Sequence, residues 1–180
     1  MDIISGSNYY ELFISEGKNI LNSASEDIEY NIGLSEQKFY DIMNKIDTKK
    51  NIKYFQREYK EYILNDLVCH CFTNDEVKVM KKIPLSISEL NNTPNFIQVA
   101  YNKSKLTLVN FDSTKNLHRI SYIKKLIFRV SNRIYINFEI SIDSKTKNKI
   151  YSVYINYNHD DNVDINITNK CINDVIDMLQ

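Results

Sequence analysis

Two carboxylates in the first part of the chain have a spacing that could hold a divalent cation. Asp27 and Glu29 are two residues apart in segment 27–33, whose alternating pattern predicts a short strand. Side chains two apart on a strand share a face, so both could reach one hard cation such as Mg²⁺ or Mn²⁺ through oxygen ligands. Acids at an exposed strand edge also discourage pairing with another sheet, which is the alternative interpretation. We expect no resident metal and keep these two acids as the candidates if one binds.

A third candidate acid, Glu139, lies in a segment that alternates without a fault between apolar and polar residues, 133–143. Such alternation predicts a strand with one dry face. The dry face would carry Ile134, Ile136, Phe138, Ile140 and Ile142. The opposite face, with Tyr135, Asn137 and Glu139, could line a wet cavity or meet bulk solvent.

Five basic side chains are candidates for holding phosphate groups. They are Lys81, Arg119, Lys124, Arg129 and Arg133. Lys124 and Lys125 are adjacent on one predicted strand and point in opposite directions, so at most one of them faces an interior. The alternative is a solvated strand face, because alternating charge on an exposed sheet is ordinary.

Three further patterns have simpler explanations. Cys69 and Cys71 share a strand face, but a structural zinc needs four ligands and the remaining candidates are scattered, so buried thiols are the expectation. Segment 160–164 resembles the start of a calcium loop without its turn glycine or bidentate glutamate, which favours a hairpin turn. The tyrosines and lysines of 53–60 could stack on bases, but strand propensity explains them.

The elements that must position these residues are mostly strands. Helical spacing predicts an opening helix over 8–24, a second helix from Ser35 and a closing helix from near Thr168. The strand candidates are 52–59, 61–72, 76–83, 95–101, 104–111, 117–130, 133–143 and 148–158. This order predicts an α+β domain, mainly antiparallel β, and a barrel is favoured because an open sheet would leave edges unpaired.

Composition limits the class of protein. The 180 residues are 43% hydrophobic and 26% charged, which predicts a single domain over 1–180 with its own core. The formal net charge is zero, so no overall field attracts nucleic acid or an acidic membrane. No leader or long apolar run is visible, which predicts an intracellular, cytoplasmic protein without a membrane partner. The three cysteines are expected to be reduced.

Read together, three parts of the chain resemble a known family. Segment 27–33, followed at once by a helix, is similar to the first strand, Glu-x-Glu-x-Arg-x-Gly, of the metal-dependent RNA 5′-triphosphatases of fungi, protists and large DNA viruses. Segments 65–70 and 78–83 resemble the family's central pair of strands, which carry Arg and then Lys. The stretch from Tyr122 to Tyr157 resembles, in order, its basic strand, its Arg-Ile-Asp-Leu-Thr strand and its final Glu-x-Glu-x-Glu strand.

This resemblance implies a fold and a site. In the family an eight-stranded antiparallel barrel encloses a hydrophilic tunnel, glutamates from the first and last strands hold a divalent cation, and basic residues hold the triphosphate. For this chain it implies an eight-stranded tunnel-like barrel with flanking N- and C-terminal helices.

The chain departs from the family pattern where the chemistry is done. In place of the final strand's carboxylates it has Ser152, Tyr154 and Asn156, and Val68 and His70 occupy the arginine positions. In place of the aspartate of the preceding strand it has Asn137. Loss of a metal would remove several kcal/mol of transition-state stabilisation, enough to abolish turnover.

The first hypothesis is therefore a non-catalytic tunnel-fold subunit, a binding or scaffolding component of a viral transcription or mRNA-capping assembly. Its partners would be a protein of that machinery and an RNA 5′ end, in the cytoplasm, a viral factory or a virion. An active Mg²⁺- or Mn²⁺-dependent RNA 5′-triphosphatase, with Asp27, Glu29 and Glu139 as catalytic acids, is the first alternative. A virion structural or assembly protein is the second.

Overall fold

The computed structural model of the chain describes most of its residues. These are residues 2–3, 7–15, 33–47, 52–64, 67–89, 96–107, 119–131, 134–158, 173–174 and 177. The elements are β1 (Asp2–Ile3), β2 (Ser7–Ile14), α1 (Glu36–Asp47), β3 (Lys53–Leu64), β4 (Leu67–Phe72), β5 (Val77–Glu89), β6 (Phe96–Thr107), β7 (Arg119–Arg129), β8 (Ile134–Asp143) and β9 (Lys149–Asn158).

Eight of the strands close into an antiparallel barrel. Around the ring the order is β6, β2, β9, β8, β7, β3, β4 and β5, and β5 pairs back to β6. The two-residue strand β1 pairs with β6 beyond the start of β2, so it adds no separate wall. Closure satisfies the backbone groups that an open sheet would expose at its edges. The predicted mainly antiparallel barrel is confirmed.

The largest apolar core lies outside the barrel, under α1. The helix presents Phe39, Ile42 and Ile46, each 1% exposed, to the outer faces of the strands. The buried side chains that these strands contribute are Leu12, Ile14, Phe96, Phe128, Ile134, Ile136, Phe138, Val153, Ile155 and Tyr157. Because the dry faces of β2, β7, β8 and β9 are used on the outside, the polar faces of the same strands point inward.

The helix predicted from Ser35 is confirmed. The Ser35 hydroxyl accepts a hydrogen bond from the Lys38 amide (3.2 Å), which caps the first turn. The apolar stripe from Phe39 to Ile46 has the spacing of one helical face and packs onto the barrel.

The opening helix predicted over 8–24 is wrong where the structure describes it, because residues 7–14 form β2. Tyr10 and Leu12 point to the outer core, whereas Glu11 and Phe13 line the interior. The strand therefore alternates between inward and outward residues, but the adjacent tyrosines Tyr9 and Tyr10 hide this alternation in the sequence. Segment 27–32 lies outside the described residues, and the two strands that pair with β9 are β8 and β2. Of the predicted closing helix, residues 173, 174 and 177 are described and are helical.

Strand boundaries also differ from the predicted ones. β3 runs unbroken through residue 60, and β6 spans the gap predicted between 101 and 104. β5 continues past Pro84, where the register shifts between Pro84 and Ser86. Proline cannot donate to the strand ladder, and a bulge is where a sheet tolerates it. Among the described residues, no helix has the length and apolarity needed to cross a membrane.

Candidate functional site: a charged cavity inside the barrel

The interior of the barrel holds a cavity of about 280 Å³ to which all eight barrel strands contribute side chains. Acids and bases face each other across it. The charged and titratable lining residues are Glu11, Glu61, Glu139, His70, Lys82, Lys103, Arg119 and Lys125. With His70 neutral, the described lining carries one positive charge in excess. Such an interior favours a charged ligand over an apolar one, and its small positive excess favours an anion.

Glu11, on β2, is held by two neighbours. Its Oε1 accepts a hydrogen bond from the Tyr101 hydroxyl (2.7 Å) and lies 3.4 Å from Lys82 Nζ. Burial, reinforced by this carboxylate, raises the pKa of Tyr101, so its phenol stays protonated and remains a donor. The Lys82 ammonium also lies over the Tyr101 ring, 4.2 Å from the centroid.

Glu139, on β8, is the centre of a second polar cluster in the cavity. Its Oε2 accepts a hydrogen bond from the Tyr154 hydroxyl (2.8 Å) and lies 3.3 Å from Lys125 Nζ. The two charged side chains are 20% and 18% exposed. Burial would lower the pKa of Lys125, but the oxygens of Tyr154 and Glu139 outweigh it and raise that pKa well above its usual range. Lys125 is therefore a permanent cation inside the barrel.

Glu61, on β3, pairs with a histidine. His70 Nε2 lies 2.8 Å from Glu61 Oε2, and Arg119 is 3.9 Å from the other carboxylate oxygen. Burial lowers the pKa of His70 in spite of the carboxylate beside it. Burial alone would raise the pKa of Glu61, but the hydrogen bond from His70 lowers it. A neutral His70 imidazole that donates a hydrogen bond to an ionised Glu61 accounts for both lowered pKa values.

This pair predicts a loss of stability in mild acid. An unfolded histidine takes up a proton near its ordinary pKa of 6.5, whereas the pKa of folded His70 is lower, so protons favour the unfolded chain below that pH. The lowered pKa of Glu61 extends the loss to more acidic pH. We expect the free energy of unfolding, measured by urea denaturation, to fall between pH values of about 6.5 and 5. In His70→Gln, which keeps a donor to Glu61, that fall should be smaller; an equal fall would contradict the assignment to His70.

Lys103, on β6, differs from the other cavity lysines. No carboxylate among the described residues lies within ion-pair distance of it, and its ammonium lies 5.3 Å from the ring centroid of Tyr9. Burial and repulsion from Lys82 and Lys125 lower its pKa below the ordinary value of 10.5. A half-buried cation that the described acids leave uncompensated is the natural contact for a bound anion.

The described acids do not suit a divalent metal. Glu11, Glu61 and Glu139 lie on three different strands, and each already accepts from a protein donor. Within the described part of the chain, no group of three histidine, cysteine or acidic side chains is close enough to hold an ion. Mg²⁺ demands near-octahedral oxygen ligands, so we derive no step through a metal from these residues.

Comparison with solved structures supplies the context for this cavity. The Schizosaccharomyces pombe Pct1 RNA triphosphatase superposes with a TM-score of 0.69 at 9% identity, over 99% of this chain and 85% of that one. The mimivirus capping enzyme triphosphatase superposes with a TM-score of 0.61 at 12% identity, over 97% and 90%. The fold is that of the triphosphate tunnel. No protein-family model matches the sequence, and no curated protein matches it either.

The tunnel contains several positions that the sequence comparison singled out. Val68 and His70, the residues at the expected arginine positions, both line it, and so do Ser152 and Tyr154 of the last strand. Asn137 and Asn156 are joined by a hydrogen bond of 2.6 Å from one side-chain amide to the other. The inward face of β9 is therefore neutral, as its sequence indicates.

The candidate charged residues fall into three groups. Glu139 and Arg119 line the tunnel. Lys81 and Lys124 do not, which corrects their predicted placement: each adjoins an inward lysine, Lys82 or Lys125, and so points to the outside. Arg129 is exposed near the end of β7 and does not line the cavity. Asp27, Glu29 and Arg133 lie outside the described residues, so their roles stay predictions.

Sequence reasoning missed five charged side chains of the tunnel. Glu11 was hidden in the wrongly predicted helix, and Glu61 lay at a predicted strand break. Lys103 fell in a predicted gap between strands, and Lys82 and Lys125 were each passed over for a neighbouring lysine. Counting alternate residues along unbroken strands from Tyr59 and Tyr101 would have found Glu61 and Lys103.

Proposed function

We propose that this chain is a non-catalytic triphosphate-tunnel domain that binds polyphosphate ends and serves as a binding or scaffolding subunit of a viral mRNA-capping or transcription assembly. One observation carries the proposal. Each described carboxylate of the tunnel is held by the protein's own base or hydroxyl, while Lys103 has no described acid beside it. Among the residues that the structure describes, the tunnel therefore offers positive charge to an anion and no unpaired acid to a metal.

The same arrangement argues against hydrolysis. Cleavage of a phosphoanhydride needs the charge on the transferring group to be neutralised, and a metal supplies several kcal/mol of that stabilisation. Here the carboxylate of Glu139 is in an ion pair with Lys125. The last strand lines the cavity with the neutral side chains of Ser152 and Tyr154 in place of carboxylates. At about 1.4 kcal/mol per tenfold in rate, the loss of such stabilisation would remove useful turnover.

The proposal of a protein partner is supported by one of the matched structures. One of the matched structures is Pct1 in complex with the Spt5 CTD, with a TM-score of 0.67 and 9% identity over 98% of this chain. A tunnel domain can therefore take part in protein binding, which supports a scaffolding role. The location that we propose for this role is the cytoplasm or a viral factory. Co-purification from the native source should recover a capping or polymerase subunit, and a chain recovered alone would count against it.

The test of the non-catalytic proposal is a phosphate-release assay. Triphosphate-ended RNA and nucleoside triphosphates are incubated with the chain in Mg²⁺ or Mn²⁺, and we expect release no faster than in the protein-free control. Sustained release that disappears in Glu29→Ala or Glu139→Gln would overturn the proposal in favour of the active triphosphatase. Release unchanged in both variants would indicate a contaminant and is excluded by repurification.

A further inference from the structure

The two ends of the tunnel differ in chemistry. At the end where the turn between β4 and β5 lies, β3, β4 and β5 turn aromatic and basic side chains inward. We call this end the basic mouth and define it by Phe55, Arg57, Phe72 and Lys78. They are placed by strand alternation: Phe55 and Arg57 share the face of Tyr59, Phe72 that of His70, and Lys78 that of Met80. At the opposite end the described lining includes Phe13, Ile63 and Val68, with Arg119 as its basic residue.

The cations of the basic mouth already lie on aromatic rings. The Arg57 guanidinium carbon is 5.4 Å from the Phe55 ring centroid and 6.0 Å from that of Phe72. Lys78 Nζ is 5.4 Å from the Phe72 centroid and 3.6 Å from Glu76, in an ion pair that is largely exposed and hence weak. Phe55 is 39% exposed and Arg57 is exposed, so a flat ligand can reach both from solvent.

A series of ring contacts links this mouth to the charged cavity. The Phe72 and Tyr59 centroids are 5.2 Å apart, and the Tyr59 and His70 centroids are 4.2 Å apart. Tyr59 and His70 both line the cavity that contains Lys103. On β5, Lys78 at the mouth and Lys82 in the cavity are four residues apart, or about 13 Å. An extended nucleoside triphosphate can cover such a span.

We propose that the basic mouth binds the nucleoside of a 5′-polyphosphate ligand, either a free nucleotide or the first nucleotide of an RNA strand. The base stacks on Phe55 and Phe72 beside Arg57, and the phosphates extend inward to Lys103. Stacking on aromatic and guanidinium faces tolerates any base, so the site selects a nucleoside without selecting its sequence. This inference rests on the proposed polyphosphate binding and adds the direction of entry and the class of ligand.

The experiment compares affinities for three probes by calorimetry or thermal shift, in EDTA. The probes are inorganic tripolyphosphate, ATP and a short 5′-triphosphate RNA. We expect ATP and the RNA to bind about tenfold more tightly than tripolyphosphate. In Phe55→Leu that advantage should shrink several-fold while tripolyphosphate affinity stays unchanged. The matched control is Tyr54→Leu, which changes the neighbouring, more exposed ring on the other face of β3. It should alter neither the nucleoside advantage nor the affinity for tripolyphosphate.

The outcomes separate this inference from the function on which it rests. No binding of any probe would remove the polyphosphate proposal itself. Tripolyphosphate binding with no nucleoside advantage, or an advantage that survives in both Phe55→Leu and Arg57→Gln, would overturn the basic mouth alone. If ATP and the RNA bind more tightly than tripolyphosphate by the same factor, the mouth accommodates a single nucleoside. If only the RNA binds more tightly than tripolyphosphate, the single-nucleoside site is wrong and the contacts are made by later nucleotides of the strand.

Discussion

Replacing Lys103 with methionine is expected to weaken tripolyphosphate binding by about 10- to 100-fold, the value of one charge-assisted hydrogen bond. The same substitution should raise the free energy of unfolding, by about 0.5–2 kcal/mol, because a cation without a described counter-ion is costly to enclose. The substitution should therefore weaken binding and increase stability, because the same ammonium group attracts the anion and is costly to bury. Calorimetric titration measures the first and urea denaturation the second.

The matched control is Lys124→Met, which removes the same charge from an exposed position on the outer face of β7. Lys124→Met should leave the affinity for tripolyphosphate and the free energy of unfolding equal to those of the wild type within experimental error. A Lys103→Met variant that is less stable than the wild type would mean that Lys103 has an acidic partner in the folded chain. Undiminished tripolyphosphate binding would mean that Lys103 is not the anion contact.

Glu139→Gln is expected to lower the free energy of unfolding by about 3 kcal/mol, because it leaves the enclosed Lys125 ammonium without its counter-charge. This is a large part of the stability of an ordinary domain. Glu58→Gln, at an exposed position on β3, is the control and should have little effect. Chemical denaturation of the three proteins makes the comparison.

A double-mutant cycle separates the ion pair from the shape of the cavity. In Lys125→Met combined with Glu139→Gln, neither charge remains to be compensated. The double variant should therefore be more stable than the two single losses added together, with a coupling of about 1 kcal/mol or more. Additive losses would contradict the pairing. A Glu139→Gln variant of unchanged stability would indicate instead that this acid is free to serve as a ligand.

Strand β7 shows what the sequence could and could not predict about the site. Its existence and the opposite directions of Lys124 and Lys125 follow from alternation alone. Both of its faces are mixed, one with Tyr122, Leu126 and Phe128, the other with Ile123 and Ile127, so hydrophobicity does not tell which face is inside. The decision comes from α1, whose apolar face joins Phe128 in one core cluster and makes that face of β7 the outer one. That is a tertiary contact without a local signal.

The walls of the tunnel were more predictable on β8 and β9. Alternation in 133–143 fixed the dry face, and Ile134, Ile136 and Phe138 are buried as predicted. Once that face is covered, Glu139 must point into the barrel. The first strand was missed because Tyr9 and Tyr10 are both amphipathic and suit either period. Its register with β6 and β9 depends on pairing between distant parts of the chain.

We propose that the tunnel holds a polyphosphate with its own cations. Calorimetric titration of tripolyphosphate into the wild-type chain, first in EDTA and then with Mg²⁺ present, tests it most directly. We predict saturable binding of one tripolyphosphate per chain in EDTA, with no gain in affinity from the metal. Binding that occurs only when the divalent cation is present would contradict the account, since it would mean that the tunnel's acids hold an ion on which the anion depends.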